Sequence, residues 1–81
     1  MYELRYDTIV EAVWDSLPQS ARDAFDRAVL AACEDPYGAT EPWGIDDGVT
    51  RTLVLDQTVA VLLLTHAPTK TLRILQVTYV G

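Results

Sequence analysis

The sequence is poor in several residue types, and each shortage limits what the protein can be. A single cysteine, Cys33, cannot form an internal disulfide and fits a reducing cytoplasm. The longest apolar run, Val59 to Leu64, is far shorter than the roughly 20 residues that a membrane helix needs. Residues 1–7 show no basic segment followed by an apolar stretch, so no signal peptide is expected. With 49% hydrophobic residues and few glycines or prolines, residues 1–81 are expected to form one globular domain.

Basic residues are also scarce. Six Lys and Arg stand against twelve Asp and Glu, a net charge of −6. Because affinity for nucleic acid depends on cations that neutralise phosphates, this balance excludes a broad nucleic-acid surface and leaves room for a local basic patch or a basic protein partner. The acids Glu41, Asp46 and Asp47 lack the alternation of a calcium loop, and no zinc or phosphate-binding motif is present. We therefore expect no metal and no cofactor.

The first half of the chain predicts one strand and two helices. Apolar and charged residues alternate in Tyr2–Tyr6, as in a half-buried strand. Thr8 and Glu11 have the spacing of a capping box and predict the start of a helix that ends at Pro18. A second helix is predicted over Pro18–Glu34, with Cys33 as a small buried residue. Residues 36–47 are expected to form one long loop.

Three strands are predicted in the last part of the chain. They cover Gly48–Asp56, Thr58–Thr65 and Lys70–Gly81, and the short turns between them predict an antiparallel meander. The middle strand is apolar on both faces, so we expect it to lie at the centre of the sheet and to be buried on both sides. The preceding helices would supply the cover.

Several short motifs follow one another in a familiar order. A strand is followed by a helical hairpin broken at Leu17-Pro18, then by a helix that ends in Asp35-Pro36-Tyr37. The segment Gly48-x-x-Arg51-x-Leu53 then opens the meander. In this order and spacing, over nearly its whole length, the chain resembles the RelE/ParE superfamily of toxins from bacterial toxin–antitoxin pairs.

The resemblance implies an α+β fold of order β-α-α-β-β-β. A helical hairpin would pack on one face of a twisted, four-stranded, mainly antiparallel sheet. The RelE-like branch cleaves messenger RNA in the ribosomal A site without a metal, and the ParE-like branch blocks DNA gyrase. In both branches an antitoxin wraps the toxin with a helix and extended segments and holds it inactive. The resemblance thus implies a cytoplasmic toxin with a cognate antitoxin as its partner.

The resemblance also implies site residues. Arg51 matches the arginine that contacts the reacting phosphate in RelE-like nucleases, and a guanidinium can grip two phosphate oxygens at once. The other interpretation is a strand arginine that reaches solvent or pairs with an acid. These nucleases carry a basic segment beyond the last strand that ends in a tyrosine. Here the sequence stops at Gly81 without such a segment, and Tyr79 is either the counterpart of that tyrosine or a core or edge residue.

Two further residues complete the candidate catalytic set. Arg73 alternates with Leu72 and Ile74 on the last strand. If it shared the uncovered face of the sheet with Arg51, the two cations could flank one phosphate or one acidic side chain. His66 could act as a general acid or base near neutral pH, or could simply cap a turn.

Two classes of function remain open from the sequence. The first is a toxin that cleaves messenger RNA on the ribosome, with Arg51, Arg73, His66 and Tyr79 as candidate catalytic residues. The second is a protein-binding module on the same fold, either a gyrase-blocking toxin or a member without nuclease activity. In either class an antitoxin would add a strand to an exposed sheet edge and pack a helix in an apolar groove. Two copies of the chain pairing through the same edge would form a homodimer.

Overall fold

The computed structural model describes residues 1–44 and 47–80. Ile45 and Asp46 of the predicted loop, and Gly81 at the end of the last predicted strand, lie outside the described residues. The elements follow the chain as β1 (Glu3–Tyr6), α1 (Thr8–Ser16), α2 (Gln19–Glu34), α3 (Pro36–Ala39), β2 (Glu41–Pro42), β3 (Thr50–Val54), β4 (Thr58–Thr65) and β5 (Thr71–Tyr79).

The first helix begins where the sequence predicts, but a different residue caps it. The Asp7 carboxylate accepts a hydrogen bond of 2.8 Å from the backbone N–H of Val10, and Thr8 is already the first helical residue. The predicted capping box from Thr8 to Glu11 is therefore wrong. Aspartate is at least as good a cap as threonine, and its charge also complements the positive end of the helix dipole.

The bounds of the second helix agree with the prediction. The α2 helix runs over Gln19–Glu34, and Pro18 occupies the position before its first residue. Its buried face packs against the sheet and consists of Ala21, Phe25, Val29, Ala32 and Cys33. The prediction of Cys33 as a small buried residue is confirmed.

The sheet has five strands in the order β1-β5-β4-β3-β2. The meander β3-β4-β5 is antiparallel as predicted, and β1 pairs in parallel with β5. The prediction of four strands is wrong, because Glu41–Pro42 forms a short fifth strand beside β3, within the segment predicted as a loop. Two residues are too few to show an alternation, and proline, which lacks an N–H, is tolerated at such an edge. The single-turn helix α3 lies in the same segment.

The two faces of the sheet differ in what covers them. On β4 the residues that face the helices are buried: Thr58, Ala60, Leu62 and Leu64. We call this side the covered face. The alternate residues Val59, Val61 and Leu63 are only half-buried and define the uncovered face. The strand is central as predicted, but the prediction that both of its faces are buried is wrong, because the helices all pack on one side.

Candidate functional site

Five side chains with a positive charge, a phenol or an imidazole meet at one end of the sheet. The topology brings them together, since β1, β3 and β5 start and β4 ends at this end. We call this group the sheet-end cluster, and its members are Tyr2, Tyr37, Arg51, His66 and Lys70. It combines the types of side chain that bind phosphates and transfer protons.

A tyrosine and a histidine form the centre of the sheet-end cluster. The Oη atom of Tyr37 donates a hydrogen bond of 2.7 Å to the carbonyl oxygen of Gly48 and lies 3.1 Å from Nε2 of His66. Because a carbonyl oxygen only accepts, the phenol proton goes to Gly48, and the imidazole must supply the proton of the second bond. Neutral His66 therefore has its lone pair on Nδ1. Both side chains are exposed to solvent.

A backbone turn at Gly48 allows this arrangement. Gly48 has a φ of +80°, in the left-handed region that favours glycine. The turn presents the glycine carbonyl to the Tyr37 hydroxyl just before β3 begins. A residue with a Cβ would be strained there, so the position of the Tyr37 ring depends on this glycine.

Arg51 lies on the covered face and is only 6% exposed. Its Nε donates to the hydroxyl of Thr40 at 2.9 Å, and its Nη2 donates to the Thr40 carbonyl at 2.8 Å. The Thr40 hydroxyl in turn donates to the carbonyl of Pro36. The guanidinium carbon also lies 5.1 Å from the centre of the Tyr37 ring, a cation–π distance. Arg51 thus holds α3, and with it Tyr37, against the sheet.

Tyr2 and Lys70 lie on the other side of His66. The ring of Tyr2 meets the imidazole edge-on, with centroids 5.7 Å apart and an interplanar angle of 85°. The Lys70 Nζ atom lies 5.8 Å from the centre of the Tyr2 ring. The backbone N–H of Tyr2 donates to the carbonyl of Cys33 at 2.8 Å, which anchors the start of β1 to the end of α2. His66 therefore contacts two tyrosine rings, and each of these rings also has a cation over it.

The structure brings together only two of the four candidate catalytic residues, Arg51 and His66. Arg51 is paired with Leu62 and Arg73 with Leu63, so the two arginines lie on opposite faces. The condition for the two cations to flank one phosphate, a shared uncovered face, is therefore not met, because residues directly opposite each other in an antiparallel pair point to the same side.

The fourth candidate lies at the other end of the sheet. Tyr79 is opposite Thr58, which is four residues, or roughly 13 Å, along β4 from the partner of Arg51. It is half-buried and packs against the core. The catalytic roles of Arg73 and Tyr79 stay predictions, but they would need a site other than the sheet-end cluster.

Three members of the cluster were not among the site residues predicted from the sequence. Tyr37 belonged to the predicted loop and to a motif of the family resemblance, Lys70 opened the last predicted strand, and Tyr2 lay on the apolar side of the first strand. Tyr2 and Lys70 directly precede their strands and Tyr37 lies in a single helical turn, where periodicity carries no information. The order of the strands would have indicated them, since it decides which element ends meet.

The uncovered face carries a mixture of apolar and basic side chains. Val59, Val61 and Leu63 form a half-buried row along β4, with the exposed Val54 beside Val59 on β3. Arg73 flanks this row on β5. A sheet face of this composition suits contact with a protein better than contact with solvent alone.

Two titratable groups near the cluster have shifted pKa values. The backbone N–H of Thr50, helped by that of Val49 and by the Thr50 hydroxyl, lowers the pKa of the Asp47 carboxyl to about 2. Burial, followed by the negative charge of Glu34, raises the pKa of the Cys33 thiol. Asp47 thus fixes the start of β3 as an anion, and Cys33 is a poor nucleophile.

Metal and membrane features can be stated for residues 1–44 and 47–80. In these ranges no group of three or more His, Cys, Asp or Glu side chains is placed to hold a metal ion. Within the same ranges, no helix has the length and apolar character required to span a membrane.

Comparisons with solved structures place this fold. The chain superposes on a chain of the RelBE2 toxin–antitoxin complex from Mycobacterium tuberculosis with a TM-score of 0.79 and 18% identity, covering 96% of each chain. It superposes on the isolated RelE toxin of E. coli with a TM-score of 0.81 and 17% identity, covering all of this chain and 86% of that one. No protein-family model matches the sequence, and no curated protein is detectably similar to it. The α+β architecture is therefore the RelE toxin fold, which confirms the resemblance at the level of the fold.

Proposed function

We propose that the protein is a toxin of a type II toxin–antitoxin system that cleaves messenger RNA on the ribosome without a metal. The observation that carries this proposal is the contact between Tyr37 Oη and His66 Nε2 at the exposed end of a RelE fold. The two tyrosine rings that contact the imidazole carry Arg51 and Lys70 over them, so the site combines a proton acceptor with positive charge. The protein would act in the bacterial cytoplasm.

The chemistry needs only a base and a cation. When the 2′ oxygen of a ribose attacks the adjacent phosphorus, its proton passes to Nδ1 of neutral His66. The bond from phosphorus to the 5′ oxygen breaks, and that oxygen takes a proton from the imidazolium or from water. Lys70 stabilises the extra negative charge on the phosphate. The products are a 2′,3′-cyclic phosphate and a 5′ hydroxyl.

Arg51 has a positioning role in this proposal. Its two hydrogen bonds to Thr40 and its contact with the Tyr37 ring hold the phenol that orients His66. The phosphate contact that the family resemblance implies for Arg51 stays a separate prediction. It would require the guanidinium to leave Thr40 when RNA binds.

Cleavage of ribosome-bound messenger RNA tests the proposal. Purified protein is incubated with programmed ribosomes in EDTA, and the cuts are mapped by primer extension. We expect His66→Gln to lower the cleavage rate by about 10²–10⁴-fold, the usual contribution of a general base. Asp56→Asn, in the exposed turn between β3 and β4 at the far end of the sheet, is the control and should cut at the wild-type rate. A wild type that does not cut, or a His66→Gln variant that cuts normally, would contradict the proposal.

The apolar row on the uncovered face favours a second function, a toxin that acts by binding a protein such as DNA gyrase. This function predicts that growth arrest survives His66→Gln and is lost on Val61→Lys, which places a charge in the middle of the row. The nuclease proposal predicts loss on His66→Gln. Growth curves after induction of each variant, with circular dichroism to verify folding, separate the two functions.

We propose a cognate antitoxin as the partner. One similar structure is a toxin–antitoxin complex, and the half-buried row of β4 is an apolar surface that a partner could cover. We expect the adjacent gene to encode a small protein with a DNA-binding part and a disordered segment, and its co-expression to restore growth. If expression of the chain alone is harmless and no such neighbour exists, the toxin proposal is wrong.

A further inference from the structure

The outer edge of β1 is arranged to pair with another strand. β1 is the terminal strand of the sheet, and the N–H of Glu3 donates inward to the carbonyl of Lys70 at 2.9 Å. Successive residues of a strand alternate in the direction of their backbone groups, so the N–H and C=O of Leu4 point outward, away from β5. An outward donor and acceptor on one residue can exchange two hydrogen bonds with a neighbouring strand.

The sequence of this edge is self-complementary. Reversal of Tyr2-Glu3-Leu4-Arg5-Tyr6 keeps the tyrosines and the central leucine in place and exchanges the acid with the base. About a two-fold axis at Leu4, two antiparallel copies would place Leu4 opposite Leu4, each Glu3 opposite an Arg5, and each Tyr2 opposite a Tyr6. Glu3 and Arg5 lie on the same side of β1 and form a 2.8 Å ion pair within the chain, and both side chains are more than half exposed, so a neighbouring strand has access to their charged groups.

An open apolar groove runs along the same edge. It has a volume of about 430 Å³ and lies between β1 and α2, with Val29 and Cys33 among its lining residues. Two of its apolar lining residues are unusually accessible, Met1 at 77% and Leu30 at 55% exposure. A strand laid against β1 would cover this groove.

From these observations we propose that two copies of the chain form a two-fold dimer through β1 and join their sheets into one continuous sheet. The second copy is the occupant that this edge fits, because its opposite charges are placed to meet their own counterparts after a two-fold rotation. A four-residue strand edge is smaller than a standard interface, so we expect a weak dimer, with a dissociation constant of roughly 10–100 μM.

Charge exchange at Glu3 and Arg5 tests the pairing. Sedimentation equilibrium should give a dimer for the wild type at high concentration. Glu3→Arg and Arg5→Glu each place two like-charged pairs in the interface, and each should weaken the dimer by about tenfold or more. An equimolar mixture of the two variants should dimerise again, because every cross-strand pair is then complementary. Arg27→Glu on the exposed side of α2 and Glu41→Arg on β2, at the opposite edge of the sheet, make the same charge changes away from β1 and should leave the dimer intact.

The groove supplies an independent test. Leu30→Gln should weaken the dimer severalfold, since an exposed apolar side chain beside β1 becomes polar. Ile9→Gln makes the same type of change at an exposed position on α1 that does not line the groove, and it should have no effect. The proposal is overturned by a wild type that stays monomeric, including one whose β1 edge binds an antitoxin strand instead. It is equally overturned by a dimer insensitive to the charge exchange, or by a mixture of the two variants that stays monomeric.

Discussion

Residues of the same type have different roles on the covered and uncovered faces of the sheet. Leu62 and Leu63 are neighbours on β4, yet Leu62 is completely buried under the helices and Leu63 is half-buried on the open side. Arg51 and Arg73 are their respective partners on the flanking strands. Arg51 is buried and hydrogen-bonded to Thr40, whereas Arg73 is exposed. The face of the sheet on which a side chain lies therefore decides its role more than its residue type does.

This difference bears directly on the candidate site. An arginine with two hydrogen bonds to one threonine has a structural role, and we expect its removal to displace Tyr37 as well. An exposed arginine beside an apolar row can steer or select a partner at little cost in stability. Each face therefore predicts its own response to mutation.

The largest contrast is expected for the two neighbouring leucines. Leu62→Ala should lower the free energy of unfolding by about 3 kcal/mol, through lost burial and the cavity left in the core. Leu63→Ala should lower it by about 1 kcal/mol, since half of this side chain already meets solvent. Urea denaturation followed by circular dichroism measures both. Equal losses would mean that the open face is covered in the free protein.

A second contrast compares the two arginines. Arg51→Met should lower the free energy of unfolding by about 2 kcal/mol, because the buried hydroxyl and carbonyl of Thr40 lose their donors. Arg73→Met, at an exposed position, should change it by no more than about 0.5 kcal/mol. The same denaturation measurement applies. If Arg51→Met were as mild as Arg73→Met, the tie between α3 and the sheet would not contribute to stability.

Much of this fold could be predicted from the sequence, but the assignment of residues to the covered or uncovered face of the sheet could not. The run over Pro18–Glu34 is long and periodic, and Thr58–Thr65 is an apolar run bounded by turns, so both elements agree with the structure to within one residue. The β2 strand and α3 are too short to show a repeating pattern of apolar and polar residues, so the sequence does not predict them. Which arginine is buried depends on the register between the strands, and this register cannot be deduced from the alternation of residues within one strand.

The candidate site was predictable only in part for a related reason. His66 stands out as the single histidine of the sequence, and Arg51 through its position in the motif of the family resemblance. Tyr37 enters the candidate site through its hydroxyl contact with His66, which lies 29 positions away in the sequence and meets it only after β3 and β4 pair. Such a contact depends on tertiary structure, so no local sequence pattern predicts it.

A smaller effect is expected for the reactivity of Cys33, whose pKa is shifted by burial, in contrast to that of Asp47, which is shifted by hydrogen bonds. On the covered side, burial raises the pKa of the Cys33 thiol, so less of it is thiolate at neutral pH. We expect Cys33 in the folded protein to react with a thiol reagent roughly tenfold or more slowly than in the protein unfolded by urea, at the same pH. Equal rates would show that the end of α2 opens readily.

The smallest predicted effect concerns exposed Asp47, whose pKa is lowered by hydrogen bonds. The N–H groups of Thr50 and Val49 hold the pKa of exposed Asp47 at about 2, below the ordinary value near 4 that the unfolded chain would show. The contribution of Asp47 to stability is therefore fully present above about pH 4 and is lost as the pH falls through about 2. An NMR titration should place the midpoint of its carboxyl carbon near pH 2. In Asp47→Asn this part of the acid dependence should vanish, because the amide does not titrate. A midpoint near 4 would mean that the hydrogen bonds at the start of β3 do not persist in solution, and the turn that presents Gly48 to Tyr37 would then lose one of its supports.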